Sequence, residues 1–89
     1  MNKIESYRLE IDEIDREITR LFKQRFEVVE KIGFEKKQCG IHPLSIKRWD
    51  QVCLNWRKAF TNTKVSKIFI NGVLELIHNQ ALEIERNIK

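Results

Sequence analysis

The stretch IESYRLEIDEIDREITRLFKQRFEVVEKI, residues 4–32, decides how this chain folds. Its apolar residues Ile4, Tyr7, Ile11, Ile14, Ile18, Leu21, Val28 and Ile32 are spaced by threes and fours, with one double step across Arg25. That spacing is a heptad seam on a single helix. Nothing breaks the pattern before Cys39-Gly40-Ile41-His42-Pro43, where glycine can cap a helix and proline restricts the residue before it. The first helix is therefore predicted over residues 3–38, about 50 Å long at about 1.5 Å per residue.

Beyond the break, Ser45 can cap a second, short helix carrying Trp49, Val52, Cys53, Trp56 and Phe60, which fades at Thr61-Asn62-Thr63-Lys64. A third runs from Ser66 to the C-terminus with Phe69, Val73, Leu76, Ile77, Ile84 and Ile88 on one side. Gly72 interrupts it at a cost of about 1 kcal/mol against alanine, which points to close packing there. No alternating β-branched run is present, so the expected class is all-α, a single domain over residues 1–89. A helix of about 50 Å is twice the roughly 25 Å diameter of a compact domain of this size. Half of it protrudes, and pairing two copies in antiparallel or crossed fashion buries both seams, so an intertwined two-fold homodimer is expected.

Seventeen lysines and arginines against thirteen acids leave a formal charge of +4. The cations are interleaved with acids and the third helix is mostly apolar and acidic, which argues against a nucleic-acid partner. No run approaches the roughly 18 apolar residues of a membrane span, and the N-terminus lacks a signal core, so a cytoplasmic protein is expected. There Cys39 and Cys53, with no CxxC pattern, read as free thiols. His42 and His78 share no metal-ligand spacing, and neither metal nor cofactor is expected.

Individual cations carry more information than the total. Arg25 sits in the seam between Leu21 and Val28, where a buried guanidinium must be paired. Lys36, eleven residues on, emerges on the same face about 16 Å away. The two can clamp a small dianion, although a lone seam arginine more often pairs with a partner's carboxylate, here Glu17 or Glu27. Arg8 alone reads as a solvated helix residue, and Trp49, Trp56 and Phe60 as core. Arg48 opens the second helix, where the helix dipole disfavours a cation unless an anion lies nearby.

Together these residues resemble the helical chorismate mutases. The likeness lies in Arg8 followed by Ile11-Asp12-Glu13-Ile14-Asp15, in Leu21-Phe22-Lys23-Gln24-Arg25, and in Ile32-Gly33-Phe34-Glu35-Lys36. It continues through Leu44-Ser45-Ile46-Lys47-Arg48-Trp49 and Ile77-His78, without a gap from Arg8 to Glu85. The resemblance implies a homodimer in which Arg25, Lys36 and Arg48 of one subunit and Arg8 of the other grip the carboxylates and ether oxygen of chorismate. Ser45, Trp49 and Ala81 would complete the substrate site, and Lys36, Arg25 and Glu85 the catalytic set. The implied reaction, the Claisen rearrangement of chorismate to prephenate in the shikimate route to aromatic amino acids, needs no covalent step.

Three positions depart from the commonest pattern of that family. Trp49 replaces a glutamate that contacts the substrate hydroxyl, and Ala81 a frequent serine. Glu85 stands for a glutamine that donates to the ether oxygen, and a carboxyl donates only when protonated, so activity should rise as pH falls. A shifted register would make Gln80 the donor instead. These departures keep open the relatives that act on 4-amino-4-deoxychorismate or eliminate pyruvate from isochorismate, and a non-catalytic binding or regulatory dimer.

Overall fold

The computed structural model describes residues 2–89, and among them three helices and no strand. Helix α1 spans Lys3–Cys39, α2 Ile46–Ala59 and α3 Lys67–Arg86, which is the all-α class expected. Each start is set by a side chain that satisfies an otherwise orphaned amide. Asn2 accepts from the Glu5 amide at 2.8 Å, Ser45 from Arg48 at 3.4 Å and Ser66 from Phe69 at 3.1 Å. At the end of α1, Gly40 takes the left-handed conformation with φ 67°, and its amide and that of Ile41 return to the carbonyls of Lys36 and Lys37. A residue with a Cβ would be strained there, so Gly40 is where the long helix can stop. The third helix ends slightly before the chain does, at Arg86 with Asn87 as its cap.

Helix α3 is the central element: it packs on α1 along one side and on α2 along another. Its last turn at Glu85, and Ile88 just beyond the helix, lie against Gly33 of α1, and the Lys37 amine donates to the Ile88 carbonyl at 2.9 Å. The core is small. Val52 and Cys53 of α2 meet Ile70 and Leu74 of α3, flanked by Trp49, Trp56 and Phe60, and Ile77 is buried one turn further along.

Two expectations are corrected. The stripe predicted for α3 is rotated: Ile77 is buried, but Phe69 and Leu76 are 56% and 73% exposed, and Ile70 and Leu74 take the core positions. With α1 and α2 on two adjacent sides, the buried arc centres on the 70-74-77 row, about 100° round the helix from Phe69. Close packing at Gly72 is also absent, since a Cβ there would meet nothing within 4 Å. The tight glycine is Gly33, whose Cβ would come within 3.0 Å of the Glu85 Cα.

Helix α1 contributes no buried residue but Gly33, and residues 2–21 are exposed throughout. The molecule measures 56 × 26 × 15 Å, with a radius of gyration of 16.5 Å. A compact chain of this length would have about 12 Å. Among the described residues no helix is long and apolar enough to cross a membrane.

Candidate active site

The C-terminal half of α1, the start of α2 and the C-terminal half of α3 enclose a cleft of about 820 Å³. Helical spacing brings its charged residues together. From α1 come Arg25 and Lys36, three turns apart on one face, with Leu21, Val28 and Ile32 as apolar wall. The first turn of α2 adds Arg48 and Trp49 beside the capping Ser45, and the α1–α2 loop adds Ile41 and Pro43. On α3, His78, Ala81 and Glu85 follow one another at steps of three and four and face the same space. Trp49 is both core and wall: it packs on the α2–α3 core, and its indole stacks on the His78 imidazole at 4.1 Å and 21°.

The electrostatics are unbalanced. Burial, and then repulsion from Arg48, lower the Arg25 guanidinium below its ordinary pKa, and its NH1 atom is buried with no hydrogen-bond partner. A guanidinium stays charged at neutral pH regardless, so a residue lining the cleft carries an unmet donor and an unpaired charge. Glu17, one carboxylate considered for Arg25, is held by Arg20 on its own helix, which lowers its pKa.

Lys36 is in the opposite condition. Its amine donates to the Pro43 carbonyl at 2.6 Å and lies 2.7 Å from Glu85 Oε1. The Glu85 side chain is only 8% exposed, and Oε1 forms the ion pair without hydrogen-bond alignment. Among its lysine, arginine and acidic side chains, three cations and one carboxylate leave the cleft two net positive charges. Donors of this kind suit a small dianion with an apolar body, not a metal cation.

Seven of the eight residues singled out from sequence line this one cleft: Ser45, Arg25, Lys36, Arg48, Trp49, Ala81 and Glu85. Arg8 does not. It is exposed on the free arm of α1, seventeen residues and about 25 Å of helix before Arg25. Gln80 is exposed and outside the cleft, so the register that makes it the donor does not match the fold. Sequence reasoning missed the Pro43 carbonyl, the His78 wall and the Gly33 contact. The spacing of His78 from Ala81 and Glu85 could have found the second; a loop carbonyl leaves no trace in side-chain pattern.

The sequence model of the family described as chorismate mutase type II matches residues 7–86. The chain belongs to that family, and membership supports chorismate mutase activity at the family level. Comparisons with curated proteins and with solved structures return no match.

Proposed function

We propose that this protein is a chorismate mutase that works as an intertwined homodimer, converting chorismate to prephenate without metal, cofactor or covalent intermediate. The observation that carries the reading is the cleft with two net positive charges, in which a buried Arg25 nitrogen has no partner. A dianionic ring compound supplies both the charge and the acceptors that are missing.

In this reading Arg25 and Arg48 hold carboxylates, and the apolar walls exclude water and press the flexible enolpyruvyl arm over the ring. Holding the reacting carbons close converts conformational entropy lost at binding into rate. Lys36 is aimed at the ether oxygen, where negative charge grows as the C–O bond breaks, and Glu85 donates beside it once it has taken up a proton and left the ion pair with Lys36. Ser45, Trp49 and Ala81 shape the wall around the ring.

The exposed arm of α1 motivates the dimer. Ile4, Tyr7, Ile11, Ile14 and Ile18 are each 44–64% exposed, and covering side chains of this size stabilises by about 1.5–3 kcal/mol each when complete. A second copy laid along the arm would cover it and bring that copy's Arg8 to the cleft as a fourth cation.

The test is direct. Purified protein incubated with chorismate should consume its ultraviolet absorbance and yield prephenate, separated from its equal-mass isomer by chromatography and identified by NMR, and Arg25→Ala and Lys36→Ala should abolish this. Parallel incubations with 4-amino-4-deoxychorismate and isochorismate decide among substrates; turnover of one of these alone rejects chorismate. A second reading, a binding-only dimer, is favoured by one feature, the apolar Trp49 and Ala81 in the cleft wall, which offer a substrate hydroxyl no carboxylate or serine. Tight binding of a bicyclic dicarboxylate transition-state analogue without turnover of any of the three would select it.

A further inference from the structure

The geometry points to Gly33 as a positioning residue: its missing side chain lets Glu85 of α3 reach Lys36 of α1. The inference rests on the reading of the cleft as the active site, but the contact it explains does not. Gly33 is the buried residue of α1, and the atoms filling the space of its absent Cβ belong to Glu85 and Ile88. A Cβ would lie 3.0 Å from Glu85 Cα, 3.0 Å from Glu85 Cγ and 3.1 Å from Ile88 Cγ1. Carbon atoms in ordinary contact sit about 3.5–4.0 Å apart, so a methyl group fits only if these atoms give way by a few tenths of an ångström.

The consequence is specific because of where Lys36 stands. It follows Gly33 by three residues and therefore emerges on the same face of α1, one turn nearer the loop. The stem of Glu85 lies across the Gly33 notch, and its carboxylate ends 2.7 Å from the Lys36 amine. The Glu85 Cγ can swing away from a methyl group, but the Cα is backbone and moves only if α3 moves. Either displacement lengthens the Lys36–Glu85 contact. Glycine costs about 1 kcal/mol against alanine inside a helix, so α1 on its own would prefer alanine here.

The test follows the Glu85 carboxyl by carbon NMR with labelled glutamate, in the full chain, at pH 7. Wild type, Gly33→Ala and Lys36→Gln are compared, with Glu85→Gln to assign the signal. In Gly33→Ala the Glu85 carboxyl signal should move from its wild-type position toward that in Lys36→Gln, because the amine stands further from it. With chorismate, kcat should fall about threefold to tenfold while KM moves less than threefold, as a displacement well under about 1 Å allows. A folded Gly33→Ala protein whose Glu85 signal stays at its wild-type position overturns the proposal, and so does failure of this variant to fold, since the glycine would then serve the whole structure. Glu85→Asp is an independent check, with labelled aspartate and Lys36→Gln added to it as reference. It withdraws the carboxylate by one methylene while α1 and α3 are already at contact, so at pH 7 Lys36→Gln should move its carboxyl signal less than it moves that of Glu85. An equal movement in Glu85→Asp would show that the separation is adjustable and also overturn it. The NMR outcome does not depend on activity, so absence of turnover would count against the proposed function and leave this one standing.

Discussion

The two halves of α1 continue one apolar rhythm but lie in opposite surroundings. Residues 25–39 run beside α3, where Gly33 is buried and Arg25, Val29 and Lys36 are half-buried. Residues 3–20 are exposed at every position, with Ile4, Ile11 and Ile14 at 56–62%. One half makes a site within its own chain, and the other presents a seam and Arg8 with nothing of its own chain to meet. The difference teaches that periodicity records that a face is to be covered and is silent on what covers it.

The strongest way to break the comparison is to remove the cation that belongs to the enclosed half. Arg25→Ala should lower kcat/KM for chorismate by about 10³-fold, equivalent to about 4 kcal/mol of transition-state stabilisation. A loss under tenfold in steady-state assays would mean the cleft is not where the ring compound sits. Arg8→Ala, in the exposed half, should cost about 10²-fold despite its distance from the cleft. Mixing inactive Arg8→Ala and Arg25→Ala chains should restore activity from about a quarter of the sites, since half the dimers are mixed and each holds one intact site. No restoration after unfolding and refolding the mixture together would place Arg8 outside the site.

Charging the exposed seam attacks the same difference from the side of assembly. Ile11→Glu combined with Ile14→Glu should give a monomer by sedimentation, with activity below about 1% of wild type, because two carboxylates cannot be buried unpaired. A dimer that persists would remove the arm from the interface.

Donor chemistry sharpens the comparison within the enclosed half. Glu85→Gln puts an amide N–H, which donates at any pH, in place of the carboxylate, and should raise kcat at pH 7 by about tenfold. A lower kcat in Glu85→Gln would end the donor role.

The smallest effect concerns stability. The Arg25 pKa is lowered in the fold by burial and by Arg48, so its charged form is disfavoured relative to the unfolded chain. That penalty is fully present at neutral pH and is relieved only as pH climbs through the folded value, far into alkali. Arg25→Met should therefore melt a few degrees higher than wild type near pH 7, about 4–8 °C if about 1 kcal/mol is recovered, while losing activity. A lower melting temperature would show that the guanidinium is already satisfied in the assembled protein.

Much of the site was legible because helices convert spacing into direction. Arg25 and Lys36 are eleven residues apart and must share a face, and Ser45 had to cap the helix that Arg48 and Trp49 begin. The errors concerned neighbours. Gly72 and Gly33 are both mid-helix glycines, and nothing local tells the one facing Glu85 from the one facing open space. Phe69 and Leu76 looked like core by period alone, yet the side of α3 that is buried depends on where α1 and α2 lie.

From its order of residues alone, this protein's helices, their starts and stops, its class and its surplus of inward cations can be derived, since each depends on contacts within about a turn of chain. Only the tertiary structure decided that Lys36 meets Glu85 and the Pro43 carbonyl while Arg25 is left with an unmet nitrogen. Those facts depend on how closely α3 approaches α1 at Gly33, a distance between residues some fifty positions apart that no local pattern encodes.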